Sequence, residues 1–137
     1  MKTDELLKAL STRNIRDVID YSADYDFVSY LNHLLDVSGI KKSELFRKAQ
    51  IERSYGYQIL KGTRIPSRNK VLALALSLSL SLDDTNRLLS LSNNGSLYAN
   101  VRRDSLIIYC LIHHASVIET NELLSRYHYP ILSEERG

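Results

Sequence analysis

Apolar residues recur along this chain at intervals of three and four, the spacing that draws one stripe down a helix. Leu6, Leu7 and Leu10 mark a first helix, from a cap at Thr3 or Asp4 to about Leu10. Ile15, Val18 and Ile19 mark a second over 14–21. Asp24 or Asp26 caps a third, with Phe27, Leu31, Leu34 and Leu35 on one side, and Gly39 suits the left-handed residue that ends a helix. From Ile40 the elements shorten. Residues 43–49 make barely two turns around Leu45, Phe46 and Ala49, and Gln50, Ile51 and Glu52 break them from a further short helix over about 53–61. Gly62 ends that helix, Pro66 forbids its continuation, and Ser67 caps the next.

The next stretch, LALALSLSLSL from Leu72 to Leu82, alternates strictly and taken alone predicts a strand. An internal repeat predicts otherwise. Residues 68–90 align with residues 103–125 at an offset of 35, sharing an arginine, a central leucine (Leu76, Leu111), serines, Thr-Asn and Leu-Leu. The second copy does not alternate, so alternation is not what the repeat preserves. Both copies fit a buried helix, a turn, and a helix capped at Ser81 or Ser116, with Leu88, Leu89, Leu123 and Leu124 facing inward. The Thr-Asn pairs, Thr85-Asn86 and Thr120-Asn121, are read as bonding nearby backbone. Asn93, Asn94 and Gly95 signal the turn between two tandem helical hairpins.

Composition narrows the class. A chain of 137 residues with 44% hydrophobic and 25% charged residues suits one soluble domain. No apolar run is long enough to span a membrane, and the charged, amphipathic N-terminus does not read as a signal peptide. Cys110 is the single cysteine, which points to a reducing, cytoplasmic setting and to a small buried hydrophobe. Two prolines and five glycines argue against a sandwich or barrel. His113 and His114, read as neighbours on one helix about 100° apart, are badly placed to share a metal. No phosphate loop, nucleophile elbow or metal-spaced cluster is visible, so the chain reads as a non-enzyme with no cofactor and no metal.

The net charge of +2 conceals a segregation. Residues 40–70 hold nine basic side chains against Glu44 and Glu52, while the flanks on either side are net acidic. Such a block attracts phosphate backbones or acidic protein surfaces.

The sequence KKSELFRKA, then QIE, RSYGYQILKG, TRIPS and NKVLALALSLSLSLDD resembles the lambda-repressor-like helix-turn-helix of the Cro and XRE family. The resemblance implies an all-α, lambda-repressor-like bundle over 26–92, flanked by an N-terminal helical extension over 1–25 and a C-terminal hairpin over 93–137 on the same core. It further implies a bacterial or phage regulator of transcription that binds double-stranded DNA in the cytoplasm, at the nucleoid. The second short helix then lies in the major groove. Taking Gly56 and Ile59 as inward, helical spacing puts Arg53, Ser54, Tyr57 and Gln58 at base edges, with arginine suited to guanine and glutamine to adenine. Lys42, Ser43, Lys61, Arg64, Arg68 and Lys70 take the phosphate backbone. Glu52 either caps this helix or accepts from a cytosine amino group.

Two positions depart from the family pattern: Phe46 stands where a small residue is usual, and Gly56 where a branched apolar one is. A ring filling the space of a missing side chain reconciles them. Tyr55 and Tyr57 flank Gly56 and either stack on a sugar-phosphate edge or cover the core. The resemblance implies a homodimer on two half-sites, paired through the N-terminal helices or the C-terminal hairpin, surfaces that also suit a protein partner. An adaptor that keeps the fold without reading DNA is the alternative.

Overall fold

The computed structural model describes residues 26–133, which form seven helices and, among those residues, no strand. They are α1 (Phe27–Ser38), α2 (Lys42–Ala49), α3 (Arg53–Lys61), α4 (Arg68–Ser77), α5 (Leu82–Leu91), α6 (Arg102–Ile112) and α7 (Val117–Arg126). The helices expected over 3–10 and 14–21, and with them the extension over 1–25, lie outside the described residues.

The alternating leucine run is helical. Val71 to Ser77 are seven consecutive buried residues, because α4 packs against α2, α5, α6 and α7 together. A helix enclosed on all sides has no solvent face, so no polar position is needed to print a 3.6-residue period on its sequence. The buried apolar residues of α1 to α7 and of the closing segment at Leu132 belong to one cluster.

Local chemistry sets the helix starts. Asp26, Ser67, Ser81 and Ser116 each accept a hydrogen bond from the backbone N–H three residues on, and the Glu119 carboxylate accepts in turn from the Ser116 N–H, closing a capping box. Left-handed residues set the ends. Gly39 and Gly62 take that role as expected, but Gln50, Ser79, Asn93, His114 and His128 adopt it too, with φ from 52° to 66°. The His113–His114 reading is thereby corrected. His113 caps the end of α6 and His114 turns the chain out of it, so the two are not neighbours on a helix.

The repeat survives as a hydrogen-bond skeleton. Thr85 and Thr120 donate to the carbonyls of Ser81 and Ser116, both at 2.8 Å. Asn86 and Asn121 each accept at 2.8 Å, from the N–H of Leu97 and of Leu132, pinning the segment that follows each hairpin. Arg68 Nε donates to Gly95 O, and Arg103 Nε to Pro130 O. The same two arginines clasp the first turns of α4 and α6 reciprocally. Arg68 meets Asp104 bidentately at 2.9 and 3.1 Å, while Arg103 donates to Asn69, the residue equivalent to Asp104, at 3.1 Å.

Burial penalises the Asp104 carboxylate, but hydrogen bonds from Arg68 and Tyr98 N–H, and the charges of Arg68 and Arg103, outweigh that and hold its pKa below the ordinary carboxylate value.

Candidate nucleic-acid interface

α3 owes its position to its inner face. Gly56, Ile59 and Leu60 are buried as α3 packs on α1 and α2. Gly56 permits the close approach to α2: a Cβ there would stand 2.5 Å from the Phe46 ring carbons Cδ1 and Cε1. Phe46 is buried over the glycine backbone, so Phe46 and Gly56 are one feature, a ring occupying the space of an absent side chain. Asn32 Nδ2 holds the end of α3 to α1 by donating to Leu60 O at 3.1 Å. Gly62 then stops the helix at φ 82°, where any other residue is strained.

At about 100° per residue, that inner face turns Ser54, Gln58 and Lys61 outward along one line of α3. Ser54 and Lys61 are exposed and Gln58 is half-buried. Arg53 is exposed beside this line, its guanidinium 5.6 Å from the centre of the Tyr57 ring. Tyr57 is half-buried and packs edge-on against Phe46 at 5.1 Å. Its ring therefore belongs partly to the core and partly to the rim. Lys42 and Ser43 are exposed in the first turn of α2, whose N-cap residue, Lys41, supplies no side-chain cap. The N–H groups of that turn are not tied to a cap, the condition under which a helix start holds an oxyanion. Glu52 is the N-cap residue of α3 and likewise makes no capping bond through its carboxylate.

Tyr55 organises the other flank. The Arg64 guanidinium lies 4.7 Å and the Lys70 ammonium 4.9 Å from its ring centre, both within cation–π range. Arg64 is exposed in the α3–α4 loop beside the exposed Ile65, and Lys70 is half-buried in the first turn of α4. Sequence reasoning left Tyr55 open between a sugar-phosphate edge and a core cover. Its partners come from the next loop and the next helix, and no local spacing announces them.

Arg68 does not join this group. Its guanidinium is committed to Asp104, Gly95 O and Ser96 O, so reaching a phosphate would mean dismantling a part-buried ion pair. The repeat marks the position, since an arginine recurs as Arg103 far from the basic block, but it names no partner for it. Arg47 and Lys48 also spend charge locally, on Glu44 at 3.9 and 3.6 Å.

Among the described residues no cluster of His, Cys, Asp and Glu could hold a metal ion, and no helix is long and apolar enough to cross a membrane. Cys110 is buried, and that burial raises its thiol pKa. No protein-family model, curated protein or solved structure matches the chain.

Proposed function

We propose that α2 and α3 form a lambda-repressor-like helix-turn-helix, and that the chain is a sequence-specific regulator that binds double-stranded DNA. The observation that carries this reading is the outer line of α3. Ser54, Gln58 and Lys61 face away from the core on a short helix held by two others, with Arg53 and Tyr57 alongside. An exposed helix of this kind fits the major groove, and serine, glutamine and arginine are side chains that read base edges there. Lys42 and Ser43 on one side, and Arg64 and Lys70 around Tyr55 on the other, supply phosphate contacts. Arg68 is assigned to the framework instead.

Titration of labelled duplex at several salt concentrations tests the reading. Binding to random duplex falls steeply as salt rises toward physiological strength, because each neutralised phosphate releases counterions. Lys61→Ala weakens binding to all sequences alike. Arg53→Ala relaxes preference at one base pair, by about 1–3 kcal/mol. Arg68→Ala lowers the unfolding midpoint instead, and leaves the salt slope unchanged in protein that remains folded. Absence of binding to any duplex at about 50 mM salt overturns the reading in favour of an adaptor.

A further inference from the structure

α2 and α7 both pack on α4, and at the C-terminal end of α4 they leave a cavity of about 350 Å³ between them. Ser79 and His114, equivalent positions of the repeat, both reach it, each turning its chain out of a helix in the left-handed conformation. Nearby, Gln50, the C-cap of α2, ties that helix to α7 and to the closing segment. Its side-chain oxygen accepts from Ser133 Oγ at 2.9 Å and from Asn121 Nδ2 at 3.4 Å, so the gap is built into the fold. The floor is apolar, with Leu76 and Val117 buried, Ala115 half-buried and Ile118 exposed at the rim. α2 supplies two exposed cations to the rim, Arg47 and Lys48. α7 supplies one carboxylate, Glu119, whose Oε1 accepts from the Ser116 N–H at 2.9 Å. The bonds from the Ser116 backbone and side chain hold its pKa below the ordinary carboxylate value, so it is charged at neutral pH. The same capping box closes the start of α7, whose backbone therefore offers nothing to an anion.

We propose that this cavity binds a free α-amino acid with an apolar side chain. The ligand carboxylate meets Arg47 and Lys48, its ammonium group meets Glu119, and its side chain lies on Leu76, Val117 and Ile118. Both charges of the rim select a zwitterion. A simple anion would be set against Glu119, and a simple cation against Arg47 and Lys48. The volume falls in the range of small-molecule sites, which join an apolar lining to a few charged groups that fix orientation. Arg47 and Lys48 stand 3.9 and 3.6 Å from Glu44 in the free chain. Such exposed pairs contribute little and yield readily to a ligand carboxylate. None of this depends on duplex binding, so the two readings stand or fall separately.

Amide chemical shifts of the full chain, followed by NMR during titration with L-leucine, L-methionine and L-phenylalanine, test the proposal. At least one of the three moves the signals of Arg47, Lys48, Ser79 and residues 114–119. For leucine as the ligand, 4-methylpentanoate, which lacks the amine, and 3-methylbutylamine, which lacks the carboxylate, each bind at least about tenfold more weakly. Glu119→Gln keeps a side chain able to close the capping box, and it abolishes the advantage of leucine over 4-methylpentanoate. Arg47→Gln with Lys48→Gln abolishes its advantage over 3-methylbutylamine. No shift with any of the three amino acids up to about 10 mM, a weak-binding limit, overturns the proposal, as do shifts confined to other surfaces. If 4-methylpentanoate binds as tightly as leucine, the site takes anions and the assignment to amino acids fails.

Discussion

Leu74 in α4 lies under neighbouring helices, and Tyr109, its counterpart in α6, faces outward. Yet the hydrogen bonds around the two hairpins match nearly atom for atom: threonine to the cap carbonyl, asparagine to the following segment, arginine to a loop carbonyl. The skeleton is kept because it satisfies backbone groups within each hairpin and the segment that follows it, and that task is the same wherever a hairpin sits. The surface diverges because it depends on what lies alongside. The clasp between the copies diverges in a third way: one half is the ion pair Arg68–Asp104, and in the other the Arg103 guanidinium donates to the neutral amide oxygen of Asn69.

That last contrast has the largest expected consequence. Asp104→Ala takes the carboxylate away from the Arg68 guanidinium, which keeps its bonds to Gly95 O and Ser96 O and whose side chain has 28% exposure against 6% for Asp104. The cost is about 3 kcal/mol, at the low end for a broken buried pair because Arg68 retains some water. Asn69→Ala costs about 1.5 kcal/mol, the low end for a hydrogen bond made to a charged group. Urea unfolding measures both, and equal losses would erase the distinction between the two halves. The pair also predicts a pH dependence. The folded pKa of Asp104 is depressed below its ordinary 3.8, so its contribution is complete above that value and is lost as pH falls through the folded pKa. Asp104→Asn makes this half resemble its counterpart, and flattens the urea midpoint across that acidic window.

The first helix pair sharpens the comparison next. Here α2 and α3 are drawn together by an absent side chain, so Gly56→Ala drives a methyl group into Phe46 and destabilises by about 1–3 kcal/mol. Phe46→Leu in the same chain recovers part of that loss. If Gly56→Ala is neutral or stabilising, the close approach does not govern the packing of α3.

Smaller effects test whether the shared skeleton has the same worth in both copies. Asn86→Ala and Asn121→Ala each free a backbone N–H and cost about 1 kcal/mol, within a few tenths of each other. A loss confined to Asn86 would mean that the segment closing at Leu132 is not held as the earlier one is. The smallest change comes from Ser79→Gly and His114→Gly. Each relieves a left-handed backbone, with φ of 52° and 54°, and raises stability by about 0.5 kcal/mol after the entropy of glycine is set against it. Thermal melts of the two variants shift upward together.

How much could be read beforehand follows from the range of each interaction. The bounds of α3 between Glu52 and Gly62 were legible because glycine and the proline after it act within a turn. The compensation between Phe46 and Gly56 was legible because both residues departed from one pattern. His114 is not legible as a helix stop because histidine, though it enters the left-handed region more readily than most residues, still does so too seldom to mark a turn by itself. Tyr55 stayed ambiguous because its cations arrive from Arg64 and Lys70, beyond any helical spacing.

By itself the chain determined its all-helical character, its serine caps and the stop at Gly62, since each rests on bonds spanning three to five residues, and the recurrence of residue types announced the two-copy skeleton. The tertiary structure alone decided that Arg68 serves a partner 36 positions away and not the basic face. It also decided that Leu74 is covered while Tyr109, its counterpart, is bare. Burial and charge pairing are properties of neighbours in space, and a linear pattern carries only neighbours along the chain.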